Sequence, residues 1–225
     1  MTHCDDLRVL VQARMSSTRF PGKVLAPLAG KAMILHVLER CAVAFGSGAV
    51  VLLTSVDRSD DALAHHVGRA GFVVFRGELE NVARRFQQCL EAHRCDWFAR
   101  ISGDSPLIDP ELIARVAAAR REGLDLVTNV QQRTFPAGQS VEVVRSAGFS
   151  RLDASRMTPE EREHVTQVFY RHPERYAILN LRSSDERLAE QRYAVDTPED
   201  LASAERLLRE GKVPAFASAL QREAA

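Results

Sequence analysis

The apolar positions of this chain fall into short, nearly continuous runs, separated by longer stretches in which they recur every third or fourth residue. The first pattern suits strands buried on both faces, the second amphipathic helices. Runs at residues 8–12, 49–54, 72–75, 97–101 and 124–130 predict five strands. Helices are predicted over 33–44, from Ser59-Asp60-Asp61 to residue 70, over 80–93, and from Asp109-Pro110 to about residue 122. Aspartate and serine cap helix starts, and proline suits the first turn. Strands and helices in alternation imply an α/β fold, a parallel sheet covered on both faces. Ligands of such sheets bind beyond the carboxyl ends of the strands.

The rhythm breaks between residues 131 and 192. A Pro/Gly loop, a strand at 141–144, a helix after Thr158-Pro159 and a strand at 176–181 predict an insertion or small lobe over the sheet. The chain then returns with a strand at 193–195 and a helix capped by Thr197, with Pro198 at its first position. Residues 213–225, with Pro214 and Phe216, are either a docking tail or a frayed end. There is no internal repeat.

Composition narrows the function classes. In 225 residues, 45% are hydrophobic and 27% charged, as in folded globular proteins. The formal net charge is zero, so nothing in bulk attracts nucleic acid or an anionic membrane, and any anion site must be local. The longest uncharged stretch, residues 41–56, is too short to span a bilayer. The first six residues lack the basic start and apolar run of a signal peptide, so a cytoplasmic location is expected. Cys4, Cys41, Cys89 and Cys95 form no C-x-x-C pair, and reduced thiols are expected. His65 and His66 have no partner at zinc-ligand spacing, and Trp97 reads as core.

The loop after the first strand carries Arg14, Arg19 and Lys23 among Ala13, Ser16, Ser17, Thr18 and Gly22. Three cations with small residues between them suit a triphosphate, because fixed donors neutralise its charge while backbone N–H groups approach. It is not a Walker A loop. A solvated surface loop has similar composition, but position after the first strand and the rarity of lysine, 3 against 27 arginines, favour phosphate. After the fourth strand comes Ser102-Gly103-Asp104-Ser105-Pro106, where a strand-end aspartate can hold Mg²⁺ against phosphate oxygens or simply serve a turn. Asp196, before the last helix, is either a second such ligand or an ordinary strand-to-helix junction.

These segments resemble the CMP-sugar synthetases, especially the CMP-Kdo type. The matching residues are 13–23, Leu28 to Met33, Gly103-Asp104-x-Pro106-Leu107-Ile108, and Val195 to Leu201. Arg76-Gly77, Asn81-Val82, Gly138-x-x-Val141-Glu142-Val143 and Arg162 to Thr166 are similar to the spore coat polysaccharide biosynthesis protein F branch, so the likeness spans almost the whole chain. The resemblance implies a mostly parallel, Rossmann-like sheet flanked by helices, the nucleotide-diphospho-sugar transferase (GT-A-like) fold. It makes the chain a single domain, 1–225, comprising a nucleotide-binding half (1–130), an acceptor or dimerisation lobe (131–192) and a return strand with the final helix (193–225).

It further implies a cytidylyltransferase that joins CMP from CTP to a small acidic sugar of the ulosonic type and releases pyrophosphate. Arg14, Lys23 and Asp104 would be catalytic. Ala13, Arg14, Ser17, Arg19, Lys23 and Gly103 would surround the phosphates, with Arg76, Gly77 and Asn81 near the base or ribose. Asp104 and Asp196 would hold Mg²⁺, and a homodimer is expected. Gln139, Glu142, Glu163 and His164, by their position in the lobe, are candidates for the acceptor pocket. His164 is either a base or carboxylate partner, or a solvated histidine beside Glu160, Glu161 and Glu163. Where the CMP-Kdo enzymes carry Gln-Gly-Asp-Glu-Pro this chain has Ser102 to Pro106, and Ser140 stands where the spore coat branch commonly has aspartate. The sugar therefore stays open. So do a nucleotidyltransferase of other NTP or acceptor specificity and a non-catalytic nucleotide-sugar binding subunit.

Overall fold

The computed structural model describes residues 6–221. In chain order the strands are β1 (Leu7–Gln12), β2 (Pro27–Leu28), β3 (Lys31–Ala32), β4 (Val50–Ser55), β5 (Val73–Gly77), β6 (Trp97–Ser102), β7 (Leu126–Thr128), β8 (Glu142–Arg145) and β9 (Ile178–Asn180). The helices are α1 (Met33–Phe45), α2 (Asp61–Arg69), α3 (Val82–Ala92), α4 (Pro110–Ala118), α5 (Ser146–Ser150), α6 (Pro159–Glu163), α7 (Gln167–Arg171) and α8 (Pro198–Arg209). The main sheet has seven strands in the order β5-β4-β1-β6-β8-β7-β9, and β2 and β3 form a separate hairpin.

Only β8 runs against its neighbours in the main sheet. From β1 the chain steps outward to β4 and β5, then crosses back to place β6 on the other side of β1. The crevice beyond the carboxyl ends of β1 and β6 is thus the switch point at which open α/β sheets bind ligands. Two apolar layers clamp the sheet. Val9 and Val11 of β1 face Met33, Val37 and Leu38 of α1 and Leu112 and Val116 of α4. Leu10 faces the opposite layer, where Phe98 lies 5.2 Å from Phe149 and 5.7 Å from Phe86 between ring centroids. Trp97 is in the core, as expected.

Several sequence expectations are corrected. The segment 131–192, expected as an insertion or small lobe over the sheet, in part enters it. It inserts β8 between β6 and β7 and adds β9 at the edge, leaving α5, α6 and α7 on the face of α3. No regular strand forms at 193–195. Tyr193 and Ala194 N–H both donate to Ala137 O, and Val195 N–H to Asp104 O at 2.8 Å, so the segment is a strap across the strand ends. Gly138 permits it, since its φ is +94° and a Cβ there would sit 2.5 Å from Ala194 N. Helix α4 stops at Ala118, where Ala119 and Arg120 N–H turn to carbonyls three residues back, Val116 O and Ala117 O. Helix α3 begins after Asn81, whose side chain accepts from Arg84 N–H.

The tail docks as far as it is described. Asp109 caps α4 through one carboxylate oxygen and accepts Phe216 and Ala217 N–H with the other, at 2.6 and 2.9 Å. Cys41 and Cys89 are buried free thiols, pushed up to about 12 by that burial. Cys4 lies outside the described residues. Among those residues no helix is long and apolar enough to cross a membrane.

Candidate functional site

The loop after β1 is shaped by Asp60, expected from sequence only as part of a helix start. Asp60 is fully buried; it accepts Met15 N–H at 2.7 Å and Ser55 N–H at 3.1 Å, and its carboxylate also receives the Ser55 hydroxyl. Its charge is therefore held by donors from both sides, the condition for burying a carboxylate. Asp57 takes the local turn instead, accepting Ser59 N–H. Ala13 N–H extends the ladder to Leu53 O, Gly22 N–H returns to Met15 O at 2.9 Å, and the Ser17 hydroxyl accepts Phe20 N–H.

This loop aims its cations at carboxylates. Lys23, buried, donates to Val195 O at 2.6 Å and to Asp196 Oδ1 at 2.9 Å. Arg19 reaches Asp196 Oδ2 at 3.0 Å, and Arg192 pairs with the same oxygen. Arg14 pairs with Glu163 Oε1 at 2.9 Å. The strap and α6 thus supply counter-ions for all three loop cations.

Opposite the loop, Gly103 N–H donates to Gln12 O at 2.9 Å, fastening the ends of β1 and β6. A Cβ on Gly103 would lie 2.7 Å from Ala13 Cβ and 2.9 Å from Gln12 O. Gly103→Ala must therefore part the strand ends, costing about 1–3 kcal/mol of overpacking. Urea unfolding should show a lower midpoint, and an unchanged midpoint would contradict this close approach. The glycine also puts Asp104 at the crevice mouth, where its Oδ1 accepts the Ser105 hydroxyl at 3.0 Å.

Two hollows meet here. A cleft of about 470 Å³ is walled by the loop, by Val82 and Arg85 of α3, and by Asp104, Glu163, His164 and Asp196. An adjoining pocket of about 300 Å³ runs under α7. Arg100, Ser102, Asp104 and His164 border both. Larger hollows of about 1030 and 740 Å³ surround Trp97 at the other end of the sheet, away from this polar convergence. Convergent polar groups mark a site better than volume does.

Other expected site residues have structural duties. Gln139 is fully buried, accepting Asp109 N–H and donating to Leu107 O, both at 2.9 Å, so its amide belongs to the core rather than the acceptor pocket. Arg76 pairs with Asp61 and donates to Ser55 O and Asp57 O, and it lines a separate shallow hollow with Gly77. A Cβ on Gly77 would meet Arg85 Cγ at 2.8 Å. Asn81 is the α3 cap, and its amide donates to Ala154 O. The side chain that does reach the cleft beside them is Arg85, which donates to Glu78 O and Leu79 O. Glu142 lines the second pocket, but its Oε1 accepts the Thr166 and Tyr170 hydroxyls, each at 2.6 Å, and Oε2 pairs with Arg100. Burial and the adjacent Glu142 carboxylate push the Tyr170 phenol far upward, so it stays a donor.

Burial opposes the charge on Asp196, but the Lys23 hydrogen bond and the charges of Lys23, Arg19 and Arg192 outweigh it and hold the carboxyl below its ordinary value. A depressed carboxyl contributes stability that is present above the unfolded value, about 4, and is lost as pH falls through the folded one. Acid should therefore lower the urea midpoint of the wild type more steeply than that of Asp196→Asn; superimposable pH profiles would refute the assignment.

The donor chemistry can be tested against Mg²⁺. Among the described residues no three His, Cys, Asp or Glu side chains gather as a cage. Magnesium is usually held by one or two carboxylates with phosphate oxygens and water, which Asp104 fits. Its carboxylate is hydrogen-bonded to the neutral Ser105 hydroxyl, whereas Asp196 must first yield its cations.

A switch-point crevice with a cationic loop on one side and an aspartate on the other, opening into a second pocket, defines a nucleotidyltransferase. The chain belongs to the cytidylyltransferase family, whose model matches residues 8–221. It is 33% identical over 205 residues to the spore coat polysaccharide biosynthesis protein SpsF of Bacillus subtilis, covering 88% of this chain and 85% of that one. It is 32% identical over 241 residues to the 3-deoxy-manno-octulosonate cytidylyltransferase of Anaeromyxobacter sp., covering 90% and 98%. A cytidylyltransferase structure from Leptospira borgpetersenii superposes with a TM-score of 0.86 at 27% identity, covering 91% of this chain and 87% of that one. The CMP:2-keto-3-deoxy-manno-octonic acid synthetase solved with CTP shares the fold, with a TM-score of 0.67 at 20% identity, covering 92% and 99%.

Proposed function

We propose that this chain transfers CMP from CTP to an ulosonic-type acidic sugar, releasing pyrophosphate, in the synthesis of a polysaccharide or related glycan. The observation that carries this reading is the junction of the two hollows at Arg100, Ser102, Asp104 and His164. A nucleotide in the cleft and an acceptor in the pocket would meet at that border. The names of the relatives above support both the nucleotide and the acceptor class.

In this reading Arg14, Arg19 and Lys23 exchange Glu163 and Asp196 for phosphate oxygens, a swap of one anion for another that leaves no buried cation bare. Asp104, joined by Asp196 once its cations turn to the phosphates, would hold Mg²⁺. When bound, that ion would neutralise charge on the triphosphate. The acceptor hydroxyl attacks the α-phosphorus in line; a new O–P bond forms, the bond to the β-phosphate oxygen breaks, and pyrophosphate leaves. His164 stands at the border to accept the hydroxyl proton. Positioning and charge neutralisation then supply most of the rate. The reading includes a cytoplasmic homodimer.

Pyrophosphate release with CTP, UTP, ATP and GTP across ulosonic acids and neutral sugars tests it. A signal confined to CTP with an acid supports the reading. Turnover of another NTP would mark a different nucleotidyltransferase specificity, and CTP binding without turnover would mark a binding subunit.

A further inference from the structure

The pocket beside the cationic cleft has four charged side chains in its wall, Arg100, Asp104, Arg133 and Glu142. Arg100 and Glu142 neutralise each other, and Glu142, 3% exposed, has its remaining oxygen filled by the Thr166 and Tyr170 hydroxyls. Asp104 also faces the cleft. Arg133 is different. It is exposed, and among the described residues its two terminal nitrogens share a single neutral acceptor, the Ser140 hydroxyl, at 3.2 Å each. One hydroxyl oxygen leaves most of a guanidinium's five donors and all of its charge unanswered. The fork of a guanidinium matches a carboxylate with two parallel hydrogen bonds.

We propose that Arg133 binds the carboxylate of the acceptor in this pocket and so selects acidic over neutral sugars. The inference rests on the reading that this pocket takes the acceptor. A neutral sugar would leave the guanidinium to water and Ser140, whereas an acid would gain charge-assisted bonds on entering. Discrimination would therefore appear in acceptor affinity and not in CTP affinity, because Arg133 lines the pocket but not the cleft.

The test compares pyrophosphate release by the wild type, Arg133→Gln, Arg133→Lys and Ser140→Asp with CTP and a panel of ulosonic acids, each beside its neutral carboxamide. Loss of a charge-assisted pair should raise the KM for the acid about 10- to 100-fold in Arg133→Gln and abolish its advantage over the carboxamide. The KM for CTP should stay within about twofold, since the nucleotide cleft is untouched. Lysine should restore part of the preference. Aspartate at 140 should weaken acid binding by competing for the guanidinium. An acid preference that survives in Arg133→Gln leaves the reading of the pocket standing and overturns the inference alone. Turnover of neutral sugars only, or of none of the acids, overturns both.

Discussion

Asp104→Asn will lower kcat for pyrophosphate release about a thousandfold on the proposed reading, in which Asp104 would hold a metal that supplies several kcal/mol of charge stabilisation, each 1.36 kcal/mol being a factor of ten. Asparagine keeps one oxygen that can accept the Ser105 hydroxyl, and the backbone bond from Val195 N–H to Asp104 O is unaffected. The urea midpoint should therefore barely move, which separates a lost ligand from a lost fold. The effect should be accompanied by a higher Mg²⁺ requirement. Wild-type turnover in this variant, at any Mg²⁺ concentration, would remove Asp104 from the metal site.

The second large effect belongs to Lys23→Ala. The ammonium is buried between Val195 O and Asp196, so it ties the strap to the loop. Removing a charged hydrogen-bonding partner costs about 1–3 kcal/mol of stability, moderated here because Arg19 and Arg192 still answer Asp196. In the proposed nucleotide site the lost point charge should raise the KM for CTP about 10- to 100-fold. Titrating CTP into wild type and variant by calorimetry reads the binding directly. Equal affinities would show that Lys23 is purely a structural anchor of the strap.

How much of this was legible follows from what sequence patterns encode. Runs such as Val50–Ser55 are buried on both faces, so continuous apolarity announced them as central strands. The Asp109 and Thr197 caps were legible because a cap and its helix are local in sequence. The cationic loop was also legible, since position after β1 fixes which end of the sheet it occupies. The meaning of buried polar residues was not. Gln139 sits in a Pro/Gly loop that looks like a pocket rim, yet its partners Leu107 and Asp109 come from the β6–α4 connection. Glu142 lines the second pocket, but its oxygens are spent on Arg100, Thr166 and Tyr170. Asp60 reads as a helix-cap residue, and only the approach of Met15 from the other side reveals that it holds the cationic loop. The strap at 193–195 has the apolar pattern of a strand, but Ala137 O takes two successive N–H groups and no ladder continues. In each case the deciding partner is distant in sequence, and pattern reading sees only near neighbours.

³¹P NMR of the wild-type enzyme with CTP, Mg²⁺ and an ulosonic acid tests the proposed attack of an acidic sugar on the α-phosphorus of CTP. The three CTP resonances should give way to one CMP-sugar phosphodiester and to pyrophosphate in equal amounts. Formation of CDP with a sugar phosphate, or consumption of CTP with no phosphodiester, would contradict it.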